Sequence, residues 1–202
     1  MTDRELYVIN RALDGMDIYA LSSIRDLKLS EITIQTIKHQ LILKNILSDE
    51  ETFTQKGLII TKMLDEYKKA KKYLTINNIT IGINDNKSVM LMYNALMDEY
   101  KIGYLQKSNW IDDVVKSYAF IGENDFSCDE FEKEIEESCF EENYKVGKEH
   151  CFNIVYHINK KDFKYKILCF EDGLYLYDYN VKILYKKQKS NLVDLLKEKV
   201  NT

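Results

Sequence analysis

The 202-residue chain carries 29 lysines and arginines against 33 aspartates and glutamates, a net charge of −4, and is 45% hydrophobic and 31% charged. Such proportions exclude a disordered chain, and the acidic balance argues against a dedicated nucleic-acid binder, whose affinity would come from basic surface. No apolar run reaches the roughly 18 residues that a membrane helix needs. The opening Met1-Thr2-Asp3-Arg4-Glu5-Leu6 lacks the basic-then-apolar order of a signal peptide, so the protein is expected to stay in the cytosol.

Residues 1–74 read as helical. Leu6, Ile9 and Leu13 fall three and four apart, and Gly15 stands where a helix C-cap would. Ile18, Leu21, Ile24 and Leu27 continue with a three-residue spacing. Ser30 is placed to cap the next helix, whose stripe is Ile34, Ile37 and Leu41. Acidic Asp49-Glu50-Glu51 follows, then a last helix expected over 58–73, with lysines at its C-terminal end where the helix dipole favours cations.

Beyond residue 74 the apolar period falls to two. Strands are expected at 75–83, 88–93 and 100–106, then a helix at 110–120. Residues 125–142 hold nine acids and one lysine, yet Phe126, Phe131, Ile135 and Phe140 recur every four or five positions, which predicts an acidic amphipathic helix. Strands follow at 152–158 and 163–170. Glu171-Asp172-Gly173 then makes a hairpin turn into a long strand at 174–185, bent near Asn180, and Leu192, Leu195 and Leu196 mark a closing helix at 191–200. The expected fold is α+β. A helical, winged-helix-like part (1–74) precedes an antiparallel sheet region with helices (75–202), built as two quasi-repeated strand-strand-strand-helix halves at about 75–122 and 125–202.

Nothing in the chain composes a reaction centre. Cys128, Cys139, Cys151 and Cys169 are too far apart for a zinc or redox motif and read as free thiols. His39, His150 and His157 are scattered. None of the seven glycines falls in a phosphate-binding loop. A winged helix at 1–74 would place residues 33–39 in a DNA groove, but that helix offers few cations and its wing carries three acids. With twelve basic and eleven acidic residues, 1–74 is nearly neutral. Tyr175, Tyr177 and Tyr179 share one face of their strand and offer either an interface or a surface for a helix of the same chain. Leu192, Leu195 and Leu196 either close the core or form a groove for a partner helix.

The order of elements resembles the EspG family of type VII (ESX) secretion chaperones. The resemblance lies in the Glu5-Leu6-Tyr7-Val8-Ile9 helix ending in Leu13-Asp14-Gly15, Ile18-Tyr19-Ala20-Leu21, the phrase Leu43-Lys44-Asn45-Ile46-Leu47-Ser48-Asp49, the connector 53–57, and the two sheet-and-helix halves. It implies an adaptor, monomeric or weakly dimeric, that grips a helical-hairpin secretion substrate and keeps it soluble for export. The grip would involve Asn94, Met97, Asp98 and Glu99, in the loop between the second and third strands, together with Leu192–Leu196. No catalytic residue, metal or cofactor is implied, and no nucleic-acid or membrane partner is expected. The other function weighed is a winged-helix transcription regulator with an acidic sensor region.

Overall fold

The computed structural model describes residues 1–21, 27–85, 87–105, 129–147, 150–188, 190–192, 194 and 197–198. The protein is α+β, with a helical N-terminal part followed by nine strands in antiparallel ladders and a few helices. The expected helix at 110–120 lies outside the described residues. The chain divides into two compact units, one formed by 1–73 with 78–105 and the other by 74–77 with 106–202. No helix among the described residues is long and apolar enough to cross a membrane.

The first unit begins with three helices whose ends are fixed by local chemistry. In α1 (Asp3–Leu13), Thr2 and Glu5 form a capping box, each side chain accepting from the other's backbone N–H. Its other end turns at Gly15, at φ +67°, whose N–H donates to the Asn10 carbonyl at 2.9 Å. Ser30 caps α2 (Glu31–Leu43) by accepting from Thr33 N–H. That helix ends in a Schellman motif, with Asn45 left-handed at φ 55°. Ile46 N–H reaches the Leu41 carbonyl at 2.8 Å, and Asn45 N–H reaches that of Ile42 at 2.9 Å. Leu47 and Phe53 then bridge antiparallel across the acidic turn.

The third helix, α3 (Gln55–Lys68), starts three residues before the position expected from the apolar stripe. Thr54 caps it, accepting from Gly57 N–H at 3.1 Å while its hydroxyl donates to the Asn45 carbonyl at 2.8 Å. The helix also stops at Lys68 rather than 73, because strand β1 (Lys72–Ile76) begins almost at once. The run 75–83, expected as one strand, is broken by Asn77 at φ 50°, a left-handed position that asparagine tolerates. After that turn come β2 (Ile79–Ile83), β3 (Ser88–Asn94) and β4 (Glu99–Leu105), successive antiparallel neighbours in the first unit. Its core joins Leu6, Ile9, Ile37, Leu41, Leu64 and Tyr67 from the helices to Val89 and Leu91 from β3.

In the second unit the acidic segment is not one helix. Residues 131–134 form strand β5 (Phe131–Glu134), and only Glu137–Asn143 is helical, as α4. The cause is the partner strand. β9 (Ile183–Lys187) pairs antiparallel along β5, and ion pairs flank the ladder, with Lys182, just before β9, on Glu136 at 2.6 Å and Lys187 on Glu130 at 3.2 Å. Between them run β6 (Cys151–Ile158), β7 (Lys161–Phe170) and β8 (Gly173–Asp178), in the strand order β6-β7-β8-β9-β5. Alongside β6, Asn77 N–H donates to the Asn153 carbonyl at 3.2 Å, and Asn153 N–H donates back to Asn77 Oδ1 at 3.0 Å. The bend expected near Asn180 is a full turn separating β8 from β9. The three-strand count therefore becomes four in each stretch of chain, β1–β4 and β6–β9. Residues 190–192, 194 and 197–198 have helical backbone, as the closing leucines predict.

Gly57 marks the tightest backbone approach in the first unit. A Cβ there would lie 2.1 Å from the Ile46 carbonyl oxygen and 2.9 Å from the Phe53 ring. We expect Gly57→Ala to destabilise the protein by about 2–4 kcal/mol in urea unfolding, by overpacking. Gly103→Ala, where nothing lies within 4 Å, should stay within about 1 kcal/mol.

Candidate partner-binding surface

The β3–β4 turn is short and internally fixed. Asn94 Oδ1 accepts from Leu96 N–H at 3.0 Å and from Met97 N–H at 3.4 Å, an Asx turn that shapes the tip. Asp98 takes the left-handed position, at φ 49°, and its carboxylate accepts from the Tyr93 hydroxyl at 2.9 Å. The Tyr93 and Tyr100 rings pack 5.0 Å apart beneath it. Held this way, the turn presents two apolar side chains to solvent, Leu96 at 96% and Met97 at 68% exposure.

A charge node sits at the base of the turn. Lys44 Nζ lies 2.9 Å from Glu99 Oε1 and 3.0 Å from Glu5 Oε1. Glu5 is 1% exposed, so its carboxylate needs both this ammonium and the Thr2 N–H it accepts. The Lys44 carbonyl in turn accepts from Lys56 Nζ at 2.9 Å. Met1 adds a further link, since its amine donates to the Tyr100 carbonyl at 2.8 Å and Tyr100 N–H donates to the Met1 carbonyl. The Lys44 hydrogen bond, ahead of the charge of the Met1 amine, holds the Glu99 carboxyl below its ordinary value of 4.5. Desolvation pulls Lys44 down, but bonding to Glu99 and Glu5 outweighs it and raises the ammonium above its ordinary value.

Asn94, Met97, Asp98 and Glu99, expected at the grip, are thus brought together at this turn. The other expected residues are not available in the same way. Tyr175 and Tyr177 are buried, because α4 covers their face: Phe140 stacks on Tyr177 at 3.9 Å between ring centroids, and Tyr144 lies 5.9 Å from Tyr175. Their hydroxyls are also used, Tyr177 donating to the Ile135 carbonyl at 3.0 Å and Tyr175 to Asp172 at 2.8 Å. Tyr179 is half-buried and donates to Glu141. The tyrosine face is therefore core rather than interface, a correction that follows from the short helix at 137–143. Leu192 is fully buried and presents no groove, while Leu195 and Leu196 lie outside the described residues.

Two features were missed from sequence. Leu96 is the most exposed large apolar side chain of the described residues, and its only local signal is an apolar pair inside a polar turn. Lys44 meets partners 39 and 55 residues away, which no local pattern announces. The first unit also holds an apolar cleft of about 390 Å³, floored by Ile9, Ile34, Leu41 and Phe53 and rimmed by Arg11, Lys38, Glu50 and Glu51. Among the described residues no group of three or more His, Cys, Asp or Glu side chains gathers in a metal-binding arrangement.

The sequence profile of a family described as a domain of unknown function (DUF5081) matches residues 1–199. The chain belongs to the DUF5081 family. No curated protein matches it.

The depressed Glu99 carboxyl gives the ion node a defined pH dependence. A folded-state pKa below the unfolded one adds stability that is complete above the ordinary value of 4.5 and disappears as pH falls through the folded value. Unfolding followed from pH 7 to 3 should show this acid limb, and Glu99→Gln should flatten it. An unchanged slope in the variant would remove Glu99 from the node.

Proposed function

We propose that this member of the DUF5081 family is a protein-holding adaptor, and that it grips an apolar helical segment of a type VII secretion substrate at the β3–β4 turn. The observation that carries the proposal is the pair Leu96 and Met97, exposed on a turn whose backbone and base are both held by hydrogen bonds and ion pairs. Two solvated apolar side chains forgo roughly 1.5–3 kcal/mol each of burial, and a partner that covers them recovers it. Fixing the turn beforehand lowers the entropy lost on binding. The flexible thioether of Met97 adapts to varied helical surfaces. The secretion setting comes from the likeness of residues 5–57 and of the element order to the EspG family. Holding requires no reaction centre.

A second observation disfavours the DNA-binding alternative. The exposed residues of α2 include Glu31, Ile32, Gln35, Thr36, His39 and Leu43, and the following turn exposes Asp49, Glu50 and Glu51. This surface has little to offer phosphate.

The test is co-purification with a helical-hairpin export substrate encoded by the same host. Leu96→Asp/Met97→Asp should weaken the complex by about a hundredfold, the equivalent of two lost apolar contacts, with the melting temperature unchanged. Undiminished affinity in the double variant would refute the proposed grip.

A further inference from the structure

Among the described residues, strand β4 has a strand neighbour on one side only, since the order begins at β4 and runs to β3. The phase of its free edge follows from the ladder. Tyr93 N–H donates to the Asn78 carbonyl ahead of β2, so its backbone groups point away from β4. The pair Tyr93–Tyr100 is therefore one that exchanges no hydrogen bonds. Tyr100 thus turns its N–H and C=O outward, and alternation does the same for Ile102 and Tyr104. Met1 shows how that edge is used, because it exchanges both backbone hydrogen bonds with Tyr100 as an antiparallel strand would. Opposite Ile102 and Tyr104 no backbone partner stands among the described residues.

Beside this edge lies a groove of about 690 Å³ between β4 and the first turns of α3. Ile59, Ile60, Met63 and Ile102 give it an apolar wall, and Ile59 is half-exposed. Among the described residues its charged side chains are Lys56 and Lys101, and none that lines it is acidic. Backbone donors and acceptors in strand phase, an apolar wall within reach of every second side chain, and a cationic rim together specify one kind of occupant.

We propose that the groove between α3 and β4 binds an extended segment of a partner protein, apolar and acidic residues alternating, added antiparallel to β4 opposite Ile102 and Tyr104. Apolar side chains of that segment face Ile59 and Met63, and its carboxylates, which alternation turns to the opposite face, meet Lys101. This is strand addition. It does not rest on the helical grip at Leu96 and Met97, and the two surfaces can be disabled separately.

The probe is an eight-residue capped peptide alternating valine with glutamate, and the control alternates valine with lysine. Fluorescence anisotropy should show the glutamate peptide binding the full chain at least about tenfold more tightly than the lysine peptide. Tyr104→Pro removes the outward N–H without touching the ladder to β3, a place where an edge strand accepts proline. It should weaken binding by about fivefold or more relative to Tyr104→Ala, which loses the same side chain but keeps the donor. In the unmodified protein, hydrogen exchange at the Ile102 and Tyr104 amides should slow on peptide addition, which keeps the test independent of how well the proline variant folds. Equal affinity for the two peptides, equal loss in the two variants, or no slowing at those amides would overturn the proposal. So would a dimer of this chain that the proline variant abolishes, because the edge would then serve a second copy.

Discussion

Glu5 is a carboxylate buried in the helical core of the first unit, and its charge is tolerable because Lys44 and the Thr2 N–H meet it. One residue thereby does two tasks. It closes the capping box that starts α1, and it draws the end of α2 towards it, where the negative end of the helix dipole also favours the lysine. The same ammonium then reaches Glu99 at the start of β4. Two helices and the β3–β4 hairpin are thus tied at a single charge, and the adjoining turn carries Leu96, the most exposed large apolar side chain among the described residues.

The two units dispose of their aromatic and apolar residues differently. In the second, α4 lays Phe140 on Tyr177 and between Tyr144 and Tyr179, so the large rings are spent on closing the unit's own sheet. Lys166 of β7 pairs with Glu141 of this helix at 2.9 Å, and Lys182, just before β9, pairs with Glu136 at the helix N-cap at 2.6 Å. In the first unit Leu96, Met97, Leu58 and Ile59 are exposed around an ordered framework, while the described residues of the second expose Phe131 and Val181. Both proposed binding surfaces draw on the exposed set of the first unit. An apolar residue left outside a filled core is most useful where another chain can cover it.

Much of the fold could be read from local chemistry. Ser30 caps the start of α2 with its hydroxyl, Gly15, with no Cβ, turns the end of α1, and the stripe of Ile34, Ile37 and Leu41 is buried as its spacing requires. Misreadings arose where an asparagine did the work of glycine or where a partner strand overrode periodicity. Asn77 turns the chain inside an otherwise continuous β-patterned run. Residues 131–134 have near-helical apolar spacing but pair with β9, a ladder flanked by the ion pairs of Lys182 with Glu136 and Lys187 with Glu130. The tyrosines of β8 alternate in the same way whether a helix or a partner covers them, so only the placement of Phe140 decides. The node at Lys44 was unreadable for a simpler reason: ion pairs across 39 and 55 residues leave no periodic trace.

If the charge node sets the shape of the turn, the turn must loosen when the node is removed and the remainder of the unit stays folded. Backbone amide relaxation by NMR across residues 94–99 reports this, compared between the native chain and Glu99→Ala, which cuts the tie to the turn and leaves Lys44 on Glu5. Native order parameters near the rigid value of about 0.85, falling below about 0.6 in the variant while those of α3 hold, are the expected result. Identical order parameters at the turn in both proteins would contradict the account.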